Sequence, residues 1–391
     1  MFVYADNAAT TQVSDAALTA MLPYFTKAYG NPSSTYPLGQ EAARALVLSR
    51  EKIARLLGCK PREITFTAGG SESDNQILRS AAYWGRAQGK THLIASAIEH
   101  HAVLHTLTAL KEEGFTVTLL APDKNGCIAP ESVAAALQPT TALVSIMAAN
   151  NETGVLQPIE KIGDLCHANS VLFHTDAVQL MGHLPFSLEH APIDFLSASA
   201  HKFHGPKGSG FLFCRQDVEL TSLIYGGAQE RGKRAGTENV PAIVGMAAAL
   251  EEAYSHMEEN RKKMETARDF LEKELLTIPG TIVHGNGVSR LPGHLNVAFT
   301  EISAEALLPI LGMNGICASS GSACASGSPD PSHVLLAMGI TPEEARSSLR
   351  FSLGDDITEE QVEYIVTQVR SAVSRLRALH RQQHTPEKGT L

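Results

Sequence analysis

Several short polar clusters stand where apolar runs of this chain end. In Ser199-Ala200-His201-Lys202-Phe203-His204-Gly205-Pro206-Lys207-Gly208, Lys202 follows an apolar run and precedes a Gly/Pro turn. A lysine so placed is partly desolvated, which lowers its pKa and makes the amine a nucleophile able to form a Schiff base. An exposed turn lysine is the plainer alternative. In Phe173-His174-Thr175-Asp176-Ala177-Val178-Gln179, Asp176 ends another apolar run. Buried there, it needs a cationic partner. A protonated ring nitrogen would serve, with Gln179 three residues on to share the same face; the alternative is a helix cap. Thr67-Ala68-Gly69-Gly70-Ser71-Glu72-Ser73 joins a strand to a helix N-terminus. Backbone N–H groups and the helix dipole favour a phosphate there, although a plain capped loop has the same composition. It is neither a P-loop nor a GxGxxG.

More positions fit the same picture. His100, in Glu99-His100-His101-Ala102, could lie over a planar ring or be an ordinary structural histidine. Asn151, in Ala149-Asn150-Asn151-Glu152, could orient a ring or a substrate, and Thr237 in Gly236-Thr237 supplies another hydroxyl. Arg350 lies on the apolar run Leu349–Phe351, placed to bind a carboxylate bidentately or to form an ordinary ion pair. Together these are a Schiff-base lysine, a pyridinium partner, a phosphate cup, a stacking ring and a carboxylate clamp. That combination points to pyridoxal 5'-phosphate (PLP). The thiol stands apart, in Ser319-Ser320-Gly321-Ser322-Ala323-Cys324-Ala325-Ser326-Gly327, a stretch of small residues around Cys324 with no core-forming bulk.

The elements that must position these groups are legible. From about residue 40 to 215, short apolar runs alternate with helical periodicity: strands near 63–67, 92–97, 115–120, 141–147, 171–175 and 195–199, a helix over 42–57 stopped by Gly58, and another opening at Gly69-Gly70-Ser71. This alternation predicts an α/β unit with a mostly parallel sheet. All the clusters except Arg350 and Thr237 then fall at strand C-termini, where such folds place ligands. Residues 240–275 read as helical. A last helix follows Thr358-Glu359-Glu360-Gln361, a capping-box spacing, with Val362, Ile365, Val366, Val369, Val373, Leu376 and Leu379 as its apolar face. The expected division is a large domain over residues 15–255 and a small α+β domain from residues 1–14 and 256–391, carrying the cysteine loop at about 317–333.

The 391 residues carry a net charge of −9 and are 43% hydrophobic, with no basic stripe, so nucleic acid is not an expected direct partner. No apolar run reaches the roughly 18 residues that span a bilayer, and the start Met1-Phe2-Val3-Tyr4-Ala5-Asp6 has no signal-peptide pattern. The expected location is the cytoplasm, where the six cysteines stay free thiols. Most should be small buried groups, Cys317 among them. No CxxC pair occurs, and His380 and His384 stand four apart without further ligands, so no metal is expected.

The blocks Tyr4-Ala5-Asp6-Asn7-Ala8-Ala9-Thr10-Thr11, Tyr29-Gly30-Asn31-Pro32-Ser33-Ser34, Ser319–Cys324 and Phe351-Ser352-Leu353-Gly354, together with the clusters above, resemble the cysteine desulfurases of the NifS/IscS type, in the class V aminotransferase group of fold-type I PLP enzymes. The resemblance implies that Lys202 binds PLP, Asp176 pairs with its ring nitrogen, Gln179 bonds its ring hydroxyl, and His100 stacks on the ring and transfers protons. Gly70, Ser71, Ser199 and His201 would hold the phosphate, and Thr237 would reach the phosphate of a neighbouring subunit, implying a homodimer. Asn151 and Arg350 would hold L-cysteine. Cys324 would accept its sulfur as a persulfide on a mobile loop, leaving L-alanine, and pass the sulfur to an acceptor protein such as an iron–sulfur scaffold or a thiolation relay. Ser71 stands where threonine is common, alanine precedes Ala149-Asn150-Asn151 where histidine is common, and Arg346-Ser347-Ser348 replaces a smaller approach to Arg350. A selenocysteine lyase or a class V aminotransferase shares the cofactor chemistry and is the alternative reading.

Overall fold

The computed structural model describes residues 1–321 and 330–384. Cys324 lies outside the described residues. The strands are β1 (Val3–Tyr4), β2 (Ile64–Thr67), β3 (His92–Ser96), β4 (Thr116–Leu120), β5 (Thr141–Ser145), β6 (Leu172–Asp176), β7 (Phe195–Ser199), β8 (Gly210–Cys214), β9 (Thr281–His284), β10 (His294–Phe299), β11 (Ile316–Cys317) and β12 (Ser348–Ser352).

Seven of them form one sheet in the order β2-β8-β7-β6-β5-β3-β4. Neighbours from β7 through β4 run parallel, whereas β8 is antiparallel to both β7 and β2. β5 and β7 are buried along their whole length, as strands covered on both faces must be. The helix Pro37–Leu57 packs on this unit and ends as its sequence predicts. Gly58 takes the left-handed conformation at φ 66°, and the Cys59 N–H closes back on the Ala54 carbonyl at 2.9 Å.

A second core draws Val3 and Ala5 together with residues from 271 to 373 around the antiparallel sheet β12-β10-β9. Both ends of the chain therefore share one hydrophobic cluster. Ile98 and Met147 of the large sheet's loops meet Val334, Leu335, Met338 and Ala345 in a smaller cluster between the two. The helix Glu359–His384 opens with the expected capping box: Thr358 N–H donates to Gln361 Oε1 at 3.0 Å and Gln361 N–H to Thr358 Oγ1 at 3.2 Å. Among the described residues no helix is long and apolar enough to cross a membrane.

Three expectations need correction. The helical stretch 240–275 is two helices, Val240–Ser255 and Met257–Leu275, broken at His256. Leu379 is exposed, because its helix outruns the second core, whose last contributors on it are Val373 and Leu376. Cys317 is half-buried, because β11 pairs only with β1 in a two-stranded sheet; Cys59 and Cys127 are also half-buried, and Cys166 and Cys214 are buried.

Candidate active site

The C-terminal ends of β6 and β7, the start of the helix Gly70–Arg86 and the loop before the helix His101–Glu112 open onto one cavity of about 500 Å³. Its lining includes Gly70, Ser71, His100, Asn151, Asp176, Gln179, Ser199, His201, Lys202 and Arg350. Residues from Ala8 to Arg350 are thus brought together. Thr237 does not line this cavity and is exposed.

Lys202 follows β7 in a short 3-10 turn, Ala200–Lys202. Its Nζ donates to the carbonyls of Ala8 and Ala9 at 2.5 and 2.8 Å. Asp176 closes β6, and its Oδ1 accepts from Val178 N–H at 2.9 Å. Burial pushes its carboxyl up to about 6, opposed by that hydrogen bond and by the Lys202 charge. His100 precedes the helix His101–Glu112, and its Nδ1 accepts from Ala102 N–H at 3.2 Å. Burial, then the Lys202 charge, lower it to about 4, so its ring is neutral at pH 7 with the proton on Nε2. His201 is likewise lowered to about 4, chiefly by burial, and its Nδ1 meets Thr10 Oγ1 at 3.1 Å.

Beneath these lies a layer that sequence reasoning missed. Asp74 is fully buried, lines the cavity, and its Oδ1 has no hydrogen-bond partner among the described residues; His174 Nε2 is 3.6 Å away. Burial first, and then the Asp176 charge, raise Asp74 well above the usual carboxylate range. Glu99 accepts from Ser96 Oγ at 2.5 Å and from Met147 N–H at 2.9 Å, and burial pushes it up to about 8. Asp74 sits one turn into a helix whose buried and exposed polar residues look alike in sequence. Glu99 had only its place beside His100 to mark it. The second omission is the N-terminal segment: Ala8, Ala9 and Thr10 line the cavity, and Gln179 Nε2 donates to the Ala8 carbonyl at 3.0 Å.

The residues present fit PLP. A carboxyl held at about 6 by burial would be stabilised as an anion by a ring N–H⁺, and an amine stands in the same cavity. The helix Gly70–Arg86 opens on Gly69 with no side-chain cap among the described residues, leaving first-turn N–H groups for an anion. Gly69 has φ 151°, and a Cβ on Gly70 would come within 2.7 Å of Val178 Cγ2, so the cradle has room for backbone only. Glu72, beside this cup, is held by Arg234 at 2.9 Å. Arg350 is buried, with Nη1 donating to the Asn151 carbonyl at 2.9 Å and Nη2 to Asp6 Oδ1 at 2.7 Å.

The class-V aminotransferase family model matches residues 3–365. A protein of Methanosarcina thermophila named cysteine desulfurase IscS is 48% identical over 375 residues, covering 96% of this chain and 93% of that one. A cysteine desulfurase IscS of Clostridium botulinum is 46% identical, covering 93% and 92%. A solved structure described as a NifS-like protein superposes with a TM-score of 0.90 at 40% identity, covering 96% of this chain and all of the other. The chain belongs to the class-V aminotransferase family, in its branch of cysteine desulfurases of the IscS and NifS type.

Proposed function

We propose that the protein is a PLP-dependent cysteine desulfurase that converts L-cysteine to L-alanine and leaves the sulfur on Cys324 as a persulfide. The observation that carries this reading is the single cavity that joins a lysine, a buried acid, an uncapped helix N-terminus and a buried arginine in a member of this family. Lys202 binds PLP, Asp176 holds the ring nitrogen protonated and Gln179 bonds the ring hydroxyl. Gly70, Ser71, Ser199 and His201 hold the phosphate. When bound, PLP would supply an electron sink that acidifies the substrate α-carbon and delocalises the electron pair left on carbon when the C–S bond breaks. Asn151 and Arg350 orient the amino acid, Arg350 through its carboxylate. Lys202 Nζ moves the α-proton, and His100 stacks over the ring with its Nε2–H turned away from the Ala102 contact.

The Cys324 thiolate attacks the substrate sulfur; a new S–S bond forms, the C–S bond breaks, and the carbon is protonated to give alanine. The other cysteines support this assignment by contrast. Burial pushes Cys59, Cys166 and Cys214 up to about 12, and no described cysteine lines the cavity. The exposed Thr237 is assigned to the phosphate site of a second subunit in a homodimer. The two cores support a large domain over residues 15–255 and a small one from 1–14 and 256–391. The persulfide goes to a sulfur-acceptor protein in the cytoplasm, in iron–sulfur cluster assembly.

The test is incubation with L-cysteine, with and without a thiol reductant, measuring sulfide and alanine together. Sulfide released only with reductant, alongside alanine, supports the reading. Alanine made only from selenocysteine, or only with an oxo-acid acceptor, overturns it in favour of a lyase or an aminotransferase.

A further inference from the structure

Arg350 is fully buried, yet among the described residues its guanidinium is held by only two groups. Nη1 donates to the Asn151 carbonyl at 2.9 Å, and Nη2 donates to Asp6 Oδ1 at 2.7 Å. Nε is buried without a hydrogen-bond partner among the described residues. One N–H remains on each terminal nitrogen, a pair that matches the two oxygens of one carboxylate. Asp6 is itself fixed. Its backbone bridges to Ser352, Asn7 N–H donates to the Ser352 carbonyl at 3.1 Å, and Ser352 N–H donates to the Ala5 carbonyl at 2.8 Å. Asn7 Nδ2 adds a bond to the same Ser352 carbonyl at 3.0 Å. The chain on both sides of Asp6 is therefore tied to β12, two residues beyond Arg350.

We propose that Asp6 is the positioning residue that aims Arg350 at the α-carboxylate of the amino-acid substrate. The inference rests on the reading of Arg350 as the carboxylate holder. An arginine side chain has several rotatable bonds, and ordering them at the moment of binding costs affinity. Two acceptors on opposite ends of the guanidinium set its plane beforehand. One acceptor, the Asn151 carbonyl, comes from the loop after β5. The other is the side chain of Asp6, more than 340 residues away in sequence and adjacent because β11 and β12 hold the N-terminal segment. The role needs an acceptor oxygen at this place, which an amide supplies as a carboxylate does.

The test uses the PLP-loaded enzyme and equilibrium binding of two probes, L-alanine and L-alaninamide, which carries a neutral amide in place of the carboxylate. D6A is expected to raise the Kd of L-alanine about tenfold, in line with the loss of a charge-assisted hydrogen bond, and to leave L-alaninamide unchanged. D6N keeps an acceptor and brings L-alanine back to within about twofold of the wild type. If D6A does not fold, D6S, too short to reach Nη2, takes its place with the same expectation. Unchanged L-alanine binding in D6A, with weakened binding in R350Q, overturns the role of Asp6 and leaves that of Arg350 standing. Unchanged L-alanine binding in R350Q overturns the Arg350 reading itself. Equal weakening of both probes in D6A makes Asp6 a structural support only and also overturns the proposal.

Discussion

The floor of the cavity and its rim are built differently. The floor comes from one sheet: Asp176 ends β6, Lys202 follows β7, and Gly70 opens the helix after β2. Asp176 and Gly70 are buried and Lys202 is half-buried, and the strands they adjoin fix their positions. The rim is assembled from distant pieces, with Asp6 from the N-terminus, Asn151 from the loop after β5 and Arg350 from β12. On the proposed reading the floor does cofactor chemistry, which needs rigidity, and the rim handles a substrate that must come and go. Variants in the two regions should fail in different ways.

The sharpest break in the comparison is between Lys202 and Cys324. K202A is expected to lose the visible band of the lysine-bound cofactor and at least about 10³-fold of alanine formation, the scale of a lost proton-transfer group. Retention of that band would remove Lys202 from its role. C324S is expected to abolish alanine formation from L-cysteine while keeping the band and the binding of L-alanine. Full alanine production by C324S would sink the persulfide route. A smaller effect belongs to D176N, which keeps the shape of the site but removes the charge that holds the ring nitrogen protonated. Activity should fall by about 10²-fold or more with PLP still bound, monitored by absorbance and turnover together.

The same contrast governs what could be read without coordinates. Floor residues were legible because each follows a recognisable apolar run, and a strand's end fixes where the next side chains go. Rim contacts were not, since no local period links Asp6 to Arg350; the pairing of β11 and β12 with the N-terminal segment brings them together. Tyr4–Thr11 was legible as a block but not as a lining. The hidden acids of the floor form a third kind. Asp74, Glu99 and His174 look like ordinary polar residues in sequence, and their chemistry is created by complete burial.

That burial gives the smallest expected effect, in stability rather than rate. Glu99 is raised from 4.5 to about 8, mainly by burial. Its folded pKa thus lies above the unfolded one, and the native state binds more protons across that interval. The contribution is fully present below 4.5 and is lost as pH rises toward 8, so stability falls with pH by on the order of 1 kcal/mol per unit for each such group. Asp74 adds a slope of the same sign. Buried neutral histidines oppose it only below about 6.5, because His100 is lowered to about 4 and His174 to about 3, so the unfolded forms take up protons there. The window from 6.5 to 8 therefore isolates the carboxyls. E99Q keeps an acceptor for Ser96 Oγ and Met147 N–H and cannot ionise. Thermal melts between pH 6.5 and 8.5 should show a falling Tm for the wild type and a flatter one for E99Q, the two diverging as pH rises. Parallel curves would mean that Glu99 is already ionised in the fold, and that the charge on Asp176 stands beside a second one rather than alone.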